Sequence, residues 1–295
     1  MPPKAVSNPK TMKIYPINAG HFKLDGGAMF GVVPKSLWNR ANPADENNMC
    51  SWALRCLLVE HGNHRILIDC GMGDKQDEKF FSHYYIHGED TLEKSLAAHG
   101  FKFEDITDVF LTHLHFDHCG GAVKRTETGE LVPAFPNALY WTDRTHWESA
   151  THPNAREKAS FLPENILPLE EHGVLRFVDK ADGEEWMEDF RVRIVNGHTD
   201  SMMLPQLNLN GKTLLYCADL LPSMHHVPLP WVMAYDMRPL ETLGEKERIL
   251  REAVSNNWTL FFEHDPTVEC ATLEETPKGI RIGKTFKLEE MGSGM

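Results

Sequence analysis

Four side chains that commonly bind divalent metal ions lie within one short stretch of this chain. Residues 112–118 read THLHFDH and supply His113, His115, Asp117 and His118. In an extended segment alternate side chains point the same way, which places His113, His115 and Asp117 on one side. Imidazole and carboxylate groups suit zinc and similar ions, and four of them exceed what one open tetrahedral site uses. The surplus predicts two divalent ions; the ligands favour Zn²⁺ and also admit manganese, iron or cobalt.

Three further candidate ligands occur singly along the chain. His198 lies in NGHTDS, Asp219 in YCADLL and His264 in FFEHD, and each follows an apolar, strand-like run. The chain has 16 histidines, so most of them are expected to be ordinary surface or core residues. A cluster that ends an apolar strand is a stronger pattern than any single histidine. Together the seven residues predict a dinuclear metal site.

The motif is predicted to lie where a strand ends and the chain turns. Asp108–Thr112 is a short apolar run leading into it, and Cys119-Gly120-Gly121 is interpreted as flexible backbone for the turn. Other apolar runs with turn residues at their ends also predict strands. These runs are Met12–Asn18, Trp52–Glu60, His64–Asp69, Val174–Val178, Phe190–Val195, Met203–Asn208, Thr213–Ala218 and Trp258–Phe262. Asn210-Gly211 predicts a hairpin turn whose second arm is Thr213–Ala218.

Helical spacing is confined to a few segments. Thr91–His99 and Glu241–Ala253 are predicted as helices. The stretch from 143 to 167 is predicted to be mostly helical, with breaks at Pro153 and Pro163. Strands lead and helices alternate irregularly, so the pattern favours two stacked sheets with helices outside, which is a layered α/β sandwich.

The charge and cysteine content narrow the function. The 43 acidic residues outnumber the 30 basic ones, and the formal net charge is −13. Nucleic acids and anionic membrane surfaces bind through Lys and Arg, so neither is an expected partner. The sequence shows no apolar run long enough for a secretory signal or a membrane span, and its six cysteines form no C-x-x-C pair. These features predict one cytoplasmic domain over residues 1–295 that acts on a neutral or weakly charged small molecule.

With these residues in this order, the chain resembles the metallo-β-lactamase superfamily. The resemblance rests on THLHFDH followed by His198, Asp219 and His264, and it covers nearly the whole chain. It implies a four-layer αββα sandwich and a hydrolase-type site, since His115 stands where the redox-active diiron branch has Glu. It also implies two ligand sets that share a bridging carboxylate: His113, His115 and His198 for one ion, Asp117, His118 and His264 for the other, and Asp219 between them.

The chemistry implied by such a centre is hydrolysis. Two divalent ions about 3.5–4 Å apart can share a water molecule and lower its pKa towards about 7. The resulting metal-bound hydroxide attacks a carbonyl or phosphoryl centre, so that no Ser or Cys nucleophile is required. Asp117 and Asp219 are the predicted catalytic carboxylates. For Asp117, proton transfer is an alternative to its role as a ligand.

Two segments outside the motif resemble quorum-quenching N-acyl-homoserine lactone lactonases. They are FKLDGGAMFGVVPKSLW near the N-terminus and HVPLPWVMAYD at 226–236, and both are interpreted as loop-like stretches. The resemblance implies an enzyme that opens the lactone ring to give N-acyl-homoserine, and it suggests a homodimer. The apolar and aromatic residues of these segments, including Tyr235, have two equally good explanations. One is packing in the core, and the other is contact with an acyl chain. The predicted substrate contacts are Met29, Phe30, Tyr84, Tyr85, Phe116, His226 and Trp231.

One position departs from the lactonase pattern. Those lactonases carry a Tyr three residues after the bridging Asp, where this chain has Pro222. Stabilisation of the oxyanion or leaving group would then come from His226, Tyr84 or Tyr85 as a hydrogen-bond donor, or from a metal ion. Two alternatives stay open: an organophosphate triesterase of the methyl parathion type, and a non-catalytic metal-binding protein on the same fold. β-Lactamase activity is less favoured because no secretory segment is found, and an RNA nuclease does not fit the acidic charge.

Overall fold

The structure is a computed structural model that describes residues 12–292. Its strands are β1 (Lys13–Asp25), β2 (Met49–His61), β3 (His64–Ile68), β4 (Asp108–Phe110), β5 (Val123–Arg125), β6 (Leu131–Pro133), β7 (Leu139–Thr142), β8 (Leu175–Phe177), β9 (Glu185–Met187), β10 (Phe190–Val195), β11 (Met202–Leu209), β12 (Lys212–Tyr216), β13 (Thr259–Phe261), β14 (Cys270–Thr276) and β15 (Gly279–Phe286). Its helices are α1 (Gly26–Phe30), α2 (Lys35–Trp38), α3 (Glu78–Tyr84), α4 (Leu92–Ala98), α5 (Phe116–Cys119), α6 (Arg144–Thr151), α7 (Pro163–Glu171) and α8 (Pro239–Ser255). The ends of the predicted domain, residues 1–11 and 293–295, lie outside the described residues, as does nearly all of the N-terminal stretch in which no secretory signal is predicted.

The first sheet has the strand order β1-β2-β3-β4-β7-β8. β1, β2 and β3 are antiparallel neighbours, whereas β3, β4, β7 and β8 run parallel to one another. Parallel neighbours need crossover connections, and these include α4 between β3 and β4 and α6 and α7 between β7 and β8. Parallel strands end at the same edge of a sheet. The histidine motif begins at this edge, shortly after the end of β4.

The second sheet has the order β15-β14-β13-β12-β11-β10-β9 and is antiparallel except for the pair β12 and β13. Helix α8 is the crossover between those two strands. The turn between β11 and β12 is the predicted Asn210-Gly211 hairpin, and both residues have positive φ, 55° and 85°. Asn and Gly are the residues that adopt this conformation most readily, which explains why the turn is visible in the sequence.

The main core lies between the two sheets. Successive side chains of β2 point to opposite faces, so Leu57 and Val59 are buried with Leu204 of the second sheet. Leu58 instead belongs to the cluster under helices α4, α6 and α7 on the outer face of the first sheet. Helix α8 buries Ile249 in the core cluster of the second sheet. The layer order is therefore helix, sheet, sheet, helix, which confirms the predicted four-layer αββα sandwich.

Two predicted segments differ from the structure. The stretch from 20 to 33 is not loop-like throughout, because β1 continues to Asp25 and the carboxylate of Asp25 accepts a hydrogen bond from the Ala28 amide at 2.8 Å, which caps α1. The stretch from 143 to 167 is helical only at its ends, in α6 and the start of α7, and the residues between them form no helix. Both differences concern segments that fold against the site.

All six cysteines are buried and free. Burial raises the pKa of Cys119 to about 12 and that of Cys50 to about 11. A protonated, buried thiol is a poor nucleophile, so Cys119 beside the motif is a packing residue. Among the described residues, no helix is long and apolar enough to cross a membrane.

Candidate metal centre

The seven candidate ligands all follow strand ends. His113 comes three residues after β4, His115 is the N-cap residue of α5, and Asp117 and His118 lie within α5. His198 follows β10, Asp219 lies in a 3-10 turn after β12, and His264 follows β13. The first sheet thus contributes the THLHFDH motif, and the second sheet contributes the three single residues. All seven side chains are buried, and none is more than 8 % exposed.

Asp219 lies between two groups of imidazoles. Its Oδ2 atom is 3.2 Å from Nε2 of His198 and 3.9 Å from Nε2 of His113. Its Oδ1 atom is 3.2 Å from Nε2 of His264 and 3.5 Å from Nε2 of His118. Each carboxylate oxygen therefore faces a different pair of histidines, which is the arrangement that a bridging ligand requires.

The remaining two candidates complete the two groups. Nδ1 of His115 is 3.1 Å from Nε2 of His198. Oδ2 of Asp117 is 3.7 Å from Nε2 of His264 and 3.8 Å from Nε2 of His118. The ligand atoms of each group lie within 4.8 Å of one another; the groups are His113, His115, His198 and Asp219, and Asp117, His118 and His264.

Unsatisfied buried atoms show that these groups fit cations. Nε2 of His113 and Oδ1 of Asp219 are buried and have no hydrogen-bond partner among residues 12–292. Buried polar atoms are normally paired, because leaving one unpaired costs about 1–3 kcal/mol. Nitrogen and carboxylate donors at these separations suit divalent ions of the zinc type. The residues present therefore fit the metal ions that the sequence predicts.

Carboxylates behind the histidines orient two of the rings. Nδ1 of His198 is 2.9 Å from Oδ1 of Asp236. Nδ1 of His118 is 3.2 Å from Oδ2 of Asp69 and 3.1 Å from Oε2 of Glu263. Such partners fix the ring orientation and leave the other nitrogen for a metal. The sequence reasoning missed all three carboxylates, although Asp69 ends a predicted strand and Glu263 precedes a predicted ligand.

Backbone and hydroxyl groups orient two more rings. Nδ1 of His264 donates to the carbonyl oxygen of Ala53 at 2.7 Å. Nδ1 of His113 lies 3.0 Å from Oγ1 of Thr112, whose hydroxyl in turn donates to Asp69 at 2.7 Å. The Asp69 carboxylate therefore supports His118 directly and His113 through Thr112.

Electrostatic interactions hold Asp219 and His113 in the protonation states that bind cations. Burial would raise the pKa of Asp219, but His118, His198 and His264 outweigh it and hold that pKa well below its usual value. Burial and the neighbouring imidazoles hold the pKa of His113 well below its usual value. Burial would also lower the pKa of His198, yet Asp219 and Asp236 raise it to about 10. Asp219 is thus ionised and His113 neutral, as metal ligands must be, whereas His198 carries a proton that a bound ion would displace.

The two glycines after the motif are required for space, so the prediction of flexible backbone is wrong. Gly120 has an ordinary helical φ of −59°. A Cβ atom on Gly120 would lie 2.0 Å from the carbonyl oxygen of Met72, and one on Gly121 would lie 2.1 Å from that of Cys70. The motif packs directly against the backbone of residues 70–72, and only glycine permits this approach.

A cavity of about 370 Å³ opens above the centre. His115, Asp117, His198, Asp219 and His264 form its floor. Its wall has seven apolar and five polar residues; the apolar ones are Leu24, Ala28, Met29, Phe116, Ala159, Ala234 and Met237, and the polar ones are Tyr84, Arg156, Glu157, Ser160 and Tyr235. The cavity therefore combines a polar floor with a wall suited to an apolar group.

Three of the seven predicted substrate contacts line this cavity, namely Met29, Tyr84 and Phe116. The other four do not. Phe30 is fully buried and Trp231 packs edge-on against it, with ring centroids 5.6 Å apart. Tyr85 is half exposed at the C-terminal end of α3. Their predicted substrate role is corrected to packing for Phe30 and Trp231 and to a surface position for Tyr85.

His226 is also corrected, because both of its ring nitrogens are engaged within the protein. Nε2 donates to the carbonyl oxygen of Met29 at 2.9 Å, and Nδ1 lies 2.8 Å from Oγ of Ser223. The ring stacks on Phe30 with a centroid distance of 5.0 Å and an interplanar angle of 5°. Burial lowers the pKa of His226 to about 3, so the ring is neutral. It supports the cavity wall from behind.

We expect His226→Ala to act on stability before it acts on catalysis. Removing a buried, stacked ring should lower the free energy of unfolding by about 3 kcal/mol, because a cavity remains and the Met29 carbonyl loses its donor. Denaturant unfolding measures this, with His83→Ala in the exposed part of α3 as the control. A variant as stable as the wild type but inactive would instead make His226 a substrate contact.

The fold and these residues define a metal-dependent hydrolase, and comparison with known proteins gives the family. The sequence profile of the Metallo-beta-lactamase superfamily matches residues 55–264, which is more than half of the chain. The chain belongs to the metallo-β-lactamase superfamily. The resemblance in the THLHFDH motif is thereby confirmed.

Several relatives are more specific. An N-acyl homoserine lactonase of Bacillus thuringiensis is 28% identical over 166 residues, covering 53% of this chain and 56% of the lactonase. This chain thus spans only about half the length of that relative. A probable metal-dependent hydrolase from Staphylococcus aureus has 26% identity and a TM-score of 0.85, covering 96% of this chain and 99% of its own. AidC, a dizinc quorum-quenching lactonase in complex with a homoserine product, shares the fold at 22% identity and a TM-score of 0.75, covering 95% and 97%.

Proposed function

We propose that this protein is a dinuclear hydrolase that opens the lactone ring of N-acyl-homoserine lactones. The observation that carries the proposal is the position of Asp219, whose two oxygens face separate histidine groups at the floor of an apolar cavity. The similarity to the Bacillus thuringiensis lactonase supports the substrate. The lactone is uncharged and its acyl chain is apolar, which agrees with the cavity wall and with the net charge of −13.

The proposed ligand sets are those implied by the motif. His113, His115 and His198 would hold one ion, and Asp117, His118 and His264 the other, with Asp219 as the bridge. When bound, two divalent ions activate a water molecule and polarise the substrate carbonyl. Zn²⁺ is the proposed metal, and the cytoplasmic location and the homodimer remain predictions.

The chain's own residues would bind and orient the substrate. Met29 and Phe116 line the apolar wall and would contact the acyl chain. Asp117 lies at the cavity floor, beside the proposed position of the lactone ring, and could receive a proton there as well as bind an ion. Glu157, a buried carboxylate, lies 4.0 Å from the free Nε2 atom of His115 and limits how that ring can rotate.

Tyr84 and Tyr235 are the proposed hydrogen-bond donors in place of the Tyr that Pro222 replaces. Tyr84 and Tyr235 both line the cavity together with Asp117. Burial and then the Asp117 carboxylate raise the pKa of each phenol, so both keep their protons and can donate. Tyr235 is the preferred candidate for this donor, because it directly precedes Asp236, whose carboxylate orients the His198 ring. The sequence indicated Tyr235 only as an apolar contact.

We expect Tyr235→Phe to lower kcat for the lactone by about tenfold to a hundredfold, since one donor to a developing oxyanion is lost. Tyr85→Phe is the matched control, because Tyr85 lies outside the cavity and should keep wild-type turnover. Initial rates at saturating lactone measure both variants. Should Tyr84→Phe show the loss and Tyr235→Phe none, Tyr84 would be the donor.

The reaction class is tested by proton release from metal-loaded protein with hexanoyl-homoserine lactone. Paraoxon and a nitrocefin-type β-lactam are run in parallel, and Asp219→Ala protein is the blank. Fast lactone opening that the variant loses supports the proposal. Slow lactone turnover with fast paraoxon hydrolysis would replace it with the organophosphate triesterase, which the apolar wall would also admit. Metal content clearly below two ions per chain after loading would contradict the dinuclear mechanism.

A further inference from the structure

The segment 228–237, here called the wall segment, joins the cavity to the metal centre. It contains no helix or strand and connects a 3-10 turn to α8. Ala234, Tyr235 and Met237 of this segment line the cavity. Asp236, between them, accepts the hydrogen bond that orients His198. An irregular segment with these contacts must be held in place by groups outside it.

One such group is a fully buried lysine of α8. Lys246 is 0 % exposed, and its ammonium group donates to the carbonyl oxygens of Pro228 at 3.1 Å, Leu229 at 3.3 Å and Trp231 at 2.7 Å. An ammonium group has three donors, so all three are used on the wall segment. The three acceptors lie within four residues, which fixes the path of the backbone at the start of the segment.

Packing alone does not explain a lysine at this position. Burial of an ammonium group is unfavourable, and burial lowers the pKa of Lys246 to about 7 although Asp236 acts in the opposite direction. Another cation on α8, Arg251, is exposed and pairs with Glu247 at 2.7 Å. A methionine would fill the space of Lys246 without the desolvation, but the carbonyl oxygens of Leu229 and Trp231 would lose the Lys246 donor, and that of Pro228 would keep only the Trp231 amide.

We propose that Lys246 is a positioning residue that shapes the substrate cavity by fixing the wall segment. This inference rests on the proposed lactonase function only for its kinetic test. Lys246 lies outside the cavity lining and acts through the backbone of residues 228–231. Loss of Lys246 would therefore reach the cavity through Trp231 and Met233, which pack in the same apolar cluster as the cavity residues Met29 and Phe116.

The C-terminal end of the wall segment is held by other groups. An effect on the cavity wall can therefore be distinguished from an effect on the metal centre. The Ala234 amide donates to the carbonyl oxygen of Ala28 at 2.8 Å, and Arg156 donates to the carbonyl oxygens of Ala234 and Asp236. Asp236 is also held by its bond to His198. Loss of Lys246 should therefore loosen the cavity wall while the metal centre keeps its ligands.

The test is Lys246→Met, with Lys124→Met on the exposed strand β5 as the control. We expect Lys246→Met to raise KM for hexanoyl-homoserine lactone about tenfold while kcat changes less than about threefold and metal content is unchanged. Hydrogen exchange of the amides between 229 and 237 should be at least about tenfold faster. The control should match the wild type in every measurement.

Hydrogen exchange keeps the inference separate from the proposed substrate. If the wild type does not open lactones, the lactonase proposal fails, and the exchange rates still decide the role of Lys246. Wild-type exchange and KM in a folded Lys246→Met protein would overturn the inference. So would a fall in kcat and metal content with KM unchanged, since that marks a general structural role.

Should the Met variant not fold, Lys246→Gln, which keeps two donors, is expected to show smaller changes in the same direction. A folded Gln variant with wild-type values would overturn the inference.

Discussion

Asp219→Ala is expected to lower hydrolysis by at least about a thousandfold and to weaken metal binding in both halves of the centre. The reason is the position of the carboxylate, with Oδ2 facing His113 and His198 and Oδ1 facing His118 and His264. Removing it leaves four histidines without the negative charge between them. No other carboxylate reaches both groups in the described part of the chain.

Metal analysis and lactone turnover on the same samples measure this effect. Asp117→Ala is the informative comparison, because Asp117 belongs to only one group and its loss should remove one ion while the other stays. Asp179→Ala, an exposed residue that pairs with Arg144 on the surface, should leave both quantities unchanged. An Asp219 variant that keeps two ions and wild-type turnover would contradict the bridging role.

Gly120→Ala is expected to lower the free energy of unfolding by about 3 kcal/mol or more. The added Cβ would lie 2.0 Å from the carbonyl oxygen of Met72 and 2.4 Å from its carbonyl carbon. These are backbone atoms, which cannot rotate away as a side chain can. The clash would separate α5 from residues 70–72, and with it the two ligands of α5, Asp117 and His118, from Asp69.

Gly244→Ala provides the matched control for this prediction. Gly244 lies within α8, and a Cβ there would meet no atom within 4 Å. The same substitution should therefore stabilise the protein by about 0.5–1 kcal/mol, because Ala loses less conformational entropy in a helix than Gly. Denaturant unfolding at a fixed metal concentration measures both. Equal stability of the two variants would show that the backbone near Gly120 can move, against the expectation.

The residues of the centre could be predicted because their spacing is local. His113, His115, Asp117 and His118 lie within six residues, and the strands before His198 and His264 are short apolar runs that the sequence shows directly. The layered sandwich followed from the order of strands and helices. Turn chemistry at Asn210-Gly211 is equally local, and the predicted hairpin is present.

The rest depends on contacts between distant parts of the chain. Asp69 and Glu263 meet at His118 although they lie 194 positions apart in the sequence. Nothing in the sequence near His226 indicates that its ring is stacked on Phe30 and bonded to Met29. The same is true of Gly120 and Gly121. Their residue type predicts a flexible backbone, and only the packed structure shows that there is no space for a Cβ atom at these positions.

The separation of the cavity wall from the ligand-bearing strand ends has an evolutionary consequence. Most wall positions, such as Leu24, Ala159 and Met237, lie in segments that hold none of the seven candidate ligands. Substitutions at these positions can widen or narrow the cavity without disturbing the centre, so a lineage can acquire a new substrate by small steps. Asp236 differs from these positions, since it lies in the wall segment and orients His198. Selection on substrate range should leave that position fixed while its neighbours diverge.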